Sequence, residues 1–130
     1  MSNVSDGHKF EREFCELLAA DGYWVHNMTQ SQAGQPADVV AVKFGKATII
    51  DCKNCEGNYF DLRRVESNQR YSMELWNECG NGCGWFAVKM GSDIHMVPSF
   101  LFFETNKSRV DKEWLKENAY TVDEWERLFG

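Results

Sequence analysis

Apolar residues in the first part of the chain return at helical spacing. Phe10, Phe14, Leu17 and Leu18 make one stripe among polar and charged neighbours, the pattern of a helix with a single buried face. Ser5 or Asp6 can cap its start and Gly22 can end it, so the spacing predicts a helix over residues 5–21. The period then changes. Residues 23–28 are aromatic and β-branched and predict a strand. Residues 29–36 are polar, contain Gly34 and Pro36, and predict a loop. Residues 38–43 and 47–53 predict two further strands joined by a hairpin-like turn at Phe44-Gly45-Lys46. Residues 54–59 read as a loop, and 60–65 follow no clear period. Residues 66–79 predict a second helix, with Tyr71, Met73, Leu75 and Trp76 as its apolar contacts. Residues 85–90 predict a strong strand and 95–97 a weaker one, with glycine-containing turns before and between them. From Pro98 the pattern is helical in pieces. Thr121 and Glu124 have the spacing of a capping box, and Trp114, Leu115, Trp125, Leu128 and Phe129 give this tail apolar faces that need a partner surface.

This order of elements predicts a mixed α/β domain around a central sheet. The length, 130 residues, suits one domain over residues 1–130, with a core at about 5–97 and a helical C-terminal extension at 98–130. Hydrophobic residues make up 43% and aromatics 14%, enough for a core without disulfides. No signal peptide and no apolar run near the ~20 residues of a membrane span is visible. The expectation is a soluble, cytoplasmic protein with no membrane partner. A net charge of −6 argues against a generic nucleic-acid coat protein. It leaves a metal site open, because such a site itself needs carboxylates.

Candidate chemistry sits on the two central strands. Asp38 opens one; Asp51 and Lys53 close the next. Side chains alternate along a strand, so Asp51 and Lys53 share a face and Cys52 points the other way. If the strands pair through the turn near Gly45, Asp38 comes close to Asp51, and two carboxylates and an ammonium meet at one end of the sheet. For an isolated Asp-x-Lys the default is a structural ion pair. The same groups also suit phosphodiester hydrolysis: a hard cation such as Mg²⁺ takes carboxylate oxygens, activates water and stabilises phosphate charge, and a lysine supplies a further positive charge.

The wider pattern resembles a known family. Pro36-Ala37-Asp38, followed by Asp51-Cys52-Lys53, resembles the signature of the PD-(D/E)xK nuclease superfamily. More closely, residues 7–97 resemble Holliday-junction resolvases of the archaeal and bacterial RecU types. Gly7-His8-Lys9-Phe10-Glu11-Arg12-Glu13-Phe14 is similar to the opening helix of that family, Asp38-Val39-Val40-Ala41 to its first acidic strand, Phe60-Asp61-Leu62 with Glu66 and Gln69 to the segment after the catalytic strand, and Trp85-Phe86-Ala87-Val88-Lys89 to its late core strand. The resemblance implies a restriction-endonuclease-like core and a Mg²⁺-dependent homodimer, with Mn²⁺ able to substitute, that cuts four-way DNA junctions. It further implies that Glu11, Asp38 and Asp51 hold the metal, that Lys53 is the catalytic lysine, and that Gln69 orients Lys53 or a phosphate. A restriction-like or repair nuclease of the same superfamily, or a non-catalytic DNA-binding or zinc-stabilised interaction protein, are the alternatives. A phage or mobile element is as compatible a source as a cellular genome.

Lys9 and Arg12 flank Glu11, and Arg63, Arg64 and Arg70 precede or join the second helix. These five are the candidate DNA contacts, by phosphate neutralisation; scattered surface charge is the alternative for each. Five cysteines is an odd number. Cys52 and Cys55, with Cys79 and Cys83, are two close pairs that could build a zinc site. The alternative is reduced thiols, several of them in the core. His8, His26 and His95 lie far apart and read as structural or surface residues.

Overall fold

A computed structural model describes residues 3–28 and 37–128, with side chains described from Gly7 onward. The predicted loop at 29–36, Pro36 included, and Phe129 lie outside the described residues.

The first helix, α1 (Asn3–Ala20), begins before the expected cap at Ser5 or Asp6. Its stripe is Phe10, Phe14 and Leu18, all essentially buried, while Leu17 is exposed at the stripe's margin. Gly22 ends the helix with φ 93°, a conformation that costs glycine little. Strand β1 (Trp24–Asn27) and strand β2 (Val39–Lys43) pair antiparallel. Strand β3 (Lys46–Cys55) returns along β2. The turn between β2 and β3 is tighter than expected: Lys43 pairs with Lys46, and Phe44 and Gly45 both have positive φ, 55° and 74°. That is the two-residue hairpin geometry whose twist matches the strands it joins.

Strand β3 is longer than its sequence period predicts, running on through Asn54 and Cys55. The reason is a parallel partner, β5 (Trp85–Met90), which pairs with it from Ile50 through Cys55. Strand β6 (Asp93–Pro98) pairs antiparallel with β5 and completes a five-stranded mixed sheet ordered β1-β2-β3-β5-β6. Strand β4 (Tyr59–Asp61) follows β3 and leads through a 3-10 turn at Leu62–Arg64 to α2 (Ser67–Trp76). A π-type turn, Asn77–Asn81, closes α2, with Gly80 at φ 95°. Helix α2 packs close on the entry to β5: a Cβ at Gly84 would lie 2.7 Å from Met73 Cγ.

The tail holds α3 (Ser99–Glu104), β7 (Arg109–Asp111), α4 (Lys112–Asn118) and α5 (Val122–Arg127). The capping box at Thr121 forms, with Glu124 N donating to Thr121 Oγ1 and Thr121 N to Glu124 Oε1. The strand β7 is not expected from the helical pattern. It pairs antiparallel with β4 in a separate two-stranded ribbon.

Helices cover both faces of the sheet. One apolar layer joins Phe10, Phe14 and Leu18 of α1 and Trp125 of α5 to Val39, Ala41, Ile50, Cys52 and Ala87. The other joins Met73, Phe102 and Leu115 to Ile49, Phe86 and Val88. The central strand β3 is thus buried on both sides, as strands with parallel neighbours usually are. Among the described residues no helix is long and apolar enough to cross a membrane. Trp125 is fully buried and lies against Tyr23 and Trp85, with ring centroids 5.7 and 6.2 Å away. Trp125→Ala therefore opens a large cavity beside Tyr23 and Trp85. Urea denaturation is expected to show a loss of about 3–5 kcal/mol; a loss under about 1 kcal/mol would mean that the tail is not part of the cooperative core.

Candidate active site

The β2–β3 register sets Val39 opposite Ile50, which carries Asp38 opposite Asp51. The backbone continues the ladder at that point, with Asp38 N donating to Ile50 O at 3.1 Å. Asp38 Oδ2 also accepts from Cys52 N at 2.7 Å, which fixes the carboxylate against the strand that carries Asp51. Asp38, Asp51 and Lys53 are all buried, Asp51 to 1% exposure. Lys53 Nζ lies 2.9 Å from Asp51 Oδ2 and 3.3 Å from Gln69 Oε1.

Gln69 ties these groups to α2. Its Nε2 donates to Asp51 Oδ1 at 3.0 Å, while its Oε1 accepts from Lys53 and from Glu66 N at the start of the helix. One amide therefore holds both partners of the ion pair, and the helix start holds the amide. Glu11 arrives from the other side of the sheet. It follows Phe10 at the margin of the buried stripe of α1, so it is half-buried beside the layer that Phe10 anchors. Gly7 and His8, one turn earlier on the same helix edge, line the same cleft.

That cleft has a volume of about 280 Å³ and is lined by Glu11, Asp38, Asp51, Lys53, Arg64 and Gln69, together with Gly7, His8, Cys52 and Glu66. All five candidate catalytic residues meet there. Of the candidate DNA contacts only Arg64 does, donating to Asn54 O at 3.0 Å. Lys9 lies 3.9 Å from Glu13, Arg63 is paired with Asp61 at 2.6 Å, and Arg70 with Glu74 at 3.1 Å, all outside the cleft lining. Arg12 is exposed on α1. Sequence reasoning did not single out His8 or Glu66 for the cleft. Their signals are their places in the family-like motifs and a separation of three residues from Glu11 and from Gln69 respectively.

The electrostatics are those of a crowded anionic site. Burial first, and then the charge of Asp38, push the Asp51 carboxyl well above the usual range, with Lys53 pulling the other way. Glu11 is raised to about 7, first by burial and then by Asp38, again against Lys53. Lys53 meets Asp51 Oδ2 in a close ion pair, with Asp38 as the second buried carboxylate of the site. Two buried carboxylates facing one ammonium leave an excess of negative charge that a cation would offset. A hard divalent ion fits it: such an ion is often held by one or two carboxylates and keeps several waters. Among the described residues no three acidic, histidine or cysteine side chains close tightly on one point. Asp38, Asp51 and Glu11 line the same cleft and are the carboxylates that could hold such an ion.

The cysteines do not gather. Cys52 belongs to the apolar layer under α1 and Cys55 to the opposite one, while Cys79 is exposed and Cys83 half-buried. Burial pushes the Cys52 thiol well above its ordinary range.

Compared with known proteins, the sequence over residues 2–125 matches the family model described as archaeal Holliday junction resolvase (Hjc). No curated protein sequence matches it significantly. Among solved structures the chain is similar to Hjc, a Holliday junction resolvase from the archaeal hyperthermophile Archaeoglobus fulgidus. The TM-score is 0.73 at 15% identity, over 94% of this chain and 99% of that one. At this identity the likeness speaks for the fold: a mixed sheet flanked by helices.

The raised Glu11 carboxyl makes a stability prediction. Its folded pKa, about 7, lies above the ordinary 4.5, so the folded state holds this proton to higher pH than the unfolded chain. The contribution to stability is complete below about pH 4.5 and is lost as pH rises through about 7. In chelator, Glu11→Gln is expected to melt higher than the unaltered protein at about pH 8, with the difference gone by about pH 4. Adding Mg²⁺ at the higher pH should narrow that difference by stabilising the unaltered protein. Equal melting of the two proteins in chelator at both pH values would show that Glu11 is not held in a strained, crowded position.

Proposed function

The chain belongs to the archaeal Holliday junction resolvase family, metal-dependent endonucleases that hydrolyse DNA phosphodiesters at four-way junctions, and we propose that the cleft of Asp38, Asp51 and Lys53 is where this hydrolysis occurs. The observation that carries the reading is the buried Asp38–Asp51 pair with Lys53 and Gln69 locked onto it. A protein gains little stability from burying two carboxylates and one ammonium together. The arrangement is understandable if a cation and a phosphate complete it.

Asp38, Asp51 and Glu11 would hold Mg²⁺ in this cleft, and Mn²⁺, with similar preference for oxygen, should substitute. When bound, the ion supplies a water of lowered pKa and a positive charge on the phosphate. The chain's own residues do the positioning. Asp38, tethered to Cys52 N, fixes one ligand direction. Gln69 holds Asp51 by Oδ1, while Oδ2 faces the Lys53 ammonium. Lys53, held by Gln69 and Asp51, presents its ammonium where negative charge grows on the phosphate and on the attacking oxygen. Attack in line with the departing 3′ oxygen leaves a 5′-phosphate and a 3′-hydroxyl. Arg64, on the lining of the same cleft, is the nearest of the proposed phosphate contacts; Lys9, Arg12, Arg63 and Arg70 would act further out along the DNA. A homodimer is the assembly proposed for paired cuts across a two-fold junction, in the compartment that holds the DNA.

The test is cleavage of a synthetic four-way junction with Mg²⁺, set against duplex, flap and single-stranded DNA of the same sequence. The junction is expected to be cut preferentially; equal cutting of all four would defeat junction selectivity. Asp51→Asn and Lys53→Ala should each lower the single-turnover rate by about 10²-fold or more. Gln69→Ala is expected to lower the rate less, with junction affinity nearly unchanged. Undiminished cutting by the Asp51 and Lys53 variants would place the chemistry elsewhere.

A further inference from the structure

We propose that the β4–β7 ribbon is a phosphate-tracking surface that steers one arm of the DNA into the cleft, with Lys107 and Arg109 of the C-terminal tail as its positioning residues. The inference rests on the nuclease reading and adds a surface to it.

The ribbon has two unlike faces. Phe60 of β4 and Val110 of β7 pair across it and are buried, at 0% and 1% exposure. Tyr59 and Asp61 on β4, with Arg109 and Asp111 on β7, form the opposite face. The pairing continues past the strands, since Leu62 N donates to Ser108 O at 2.9 Å. Lys107 and Arg109 therefore flank the residue that bonds to Leu62, directly beside Arg63 and Arg64.

Four of the chain's fourteen Lys and Arg residues thus fall on this one short ribbon and its continuation, in a protein of net charge −6. All four are exposed. The carboxylates among them are engaged: Asp61 accepts from Arg63 through backbone and side chain, and Asp111 Oδ1 caps α4 by accepting from Trp114 N. Among the described residues neither Lys107 nor Arg109 pairs with a carboxylate. Arg109 is nonetheless held in place, its guanidinium 4.1 Å from the centre of the Tyr59 ring. That contact fixes the plane of the group and leaves its edge donors for an anion. Arg64 is steadied in the same manner over Phe60, at 5.4 Å, and it lines the cleft.

The ribbon joins the cleft without a break. Strand β3 ends two residues after Lys53, and Cys55 Sγ donates to Tyr59 O at 2.9 Å, folding β4 back against that end. From Arg109, opposite Asp61, to Arg64 is three residues along the ribbon, roughly 6–10 Å at the rise of strand or 3-10 backbone. A DNA strand presents one phosphate per ~3.4 Å of helix axis, so Arg64, Lys107 and Arg109 can meet neighbouring phosphates of one strand. The partner that this chemistry recognises is a nucleic-acid backbone, read by charge and not by base.

The experiment is binding of a labelled four-way junction, and of a plain duplex, to the full chain over a range of salt concentrations. Ca²⁺ replaces Mg²⁺ to prevent cleavage. For Lys107→Ala/Arg109→Ala the plot of log affinity against log salt should flatten by about 1–2, with binding weakened about tenfold or more at low salt. Arg109→Lys should keep most of the slope, and Arg109→Glu should lose more than the alanine variant. Lys116→Ala on α4, away from the cleft, should leave the slope unchanged. An unchanged slope in the double variant, or an equal change in Lys116→Ala, would overturn the proposal. Binding to plain duplex also reports on the ribbon, so its failure stays distinct from a failure of junction selectivity, which shows only in which DNA the unaltered protein cuts.

Discussion

Asp51 and Lys53 sit on a strand that has no exposed side. Strand β3 is bonded to β2 on one edge and β5 on the other, and helices cover both faces. Any charged group on its second half is taken out of water, at a cost that pairing repays only when geometry is good and remaining lone pairs are satisfied. Much of the surrounding structure answers that constraint. Asp38 is aligned opposite Asp51 by the β2–β3 register and is pinned by Cys52 N. Gln69 spends both ends of its amide on the ion pair and is itself held by the backbone at the start of α2. The compensation is incomplete in charge, since two buried carboxylates face one lysine, and a divalent cation can offset that excess.

The supports come from different layers. Helix α1 contributes Glu11 from the face where Phe10, Phe14 and Leu18 pack, and α2 contributes Gln69 from the opposite face, anchored by Met73 over Gly84. The cleft opens where the two layers part at the end of the sheet. Relative placement of Glu11 and Gln69 therefore depends on apolar packing on both sides of β3, and a core defect on either face would be transmitted to the site as a displacement. The same logic explains the small volume of the cleft. It is bounded by side chains already committed to one another, and it accommodates an ion and a phosphate more naturally than an extended small molecule.

Charge is distributed against the average. The chain is acidic overall, and the carboxylates of the cleft are part of that balance. Basic residues cluster where β4 meets β7, beside the cleft lining. Net charge therefore says little about nucleic-acid binding in this fold, because contacts with phosphate depend on local potential over a Debye length of about 8–10 Å.

What was legible in the sequence was what depends on neighbours along the chain. The stripe of α1, the β2–β3 hairpin and the Thr121 capping box follow from periods and turn residues a few positions apart. The hairpin alone brings Asp38 to Asp51, because a two-residue turn sets the register for every pair behind it. Glu11 and Gln69 had no such local signal; only resemblance to a family pointed to them, since a helix carboxylate and a helix glutamine are ordinary surface residues by spacing alone. Tertiary structure decided the rest. It extended β3 by supplying β5 as a parallel partner and separated Cys52 from Cys55 by burying them in opposite layers. It also turned part of a tail read as helical into β7, by pairing three residues with β4 about fifty positions earlier. A three-residue strand has too little pattern to announce itself, and its stability comes from a partner that no local window contains.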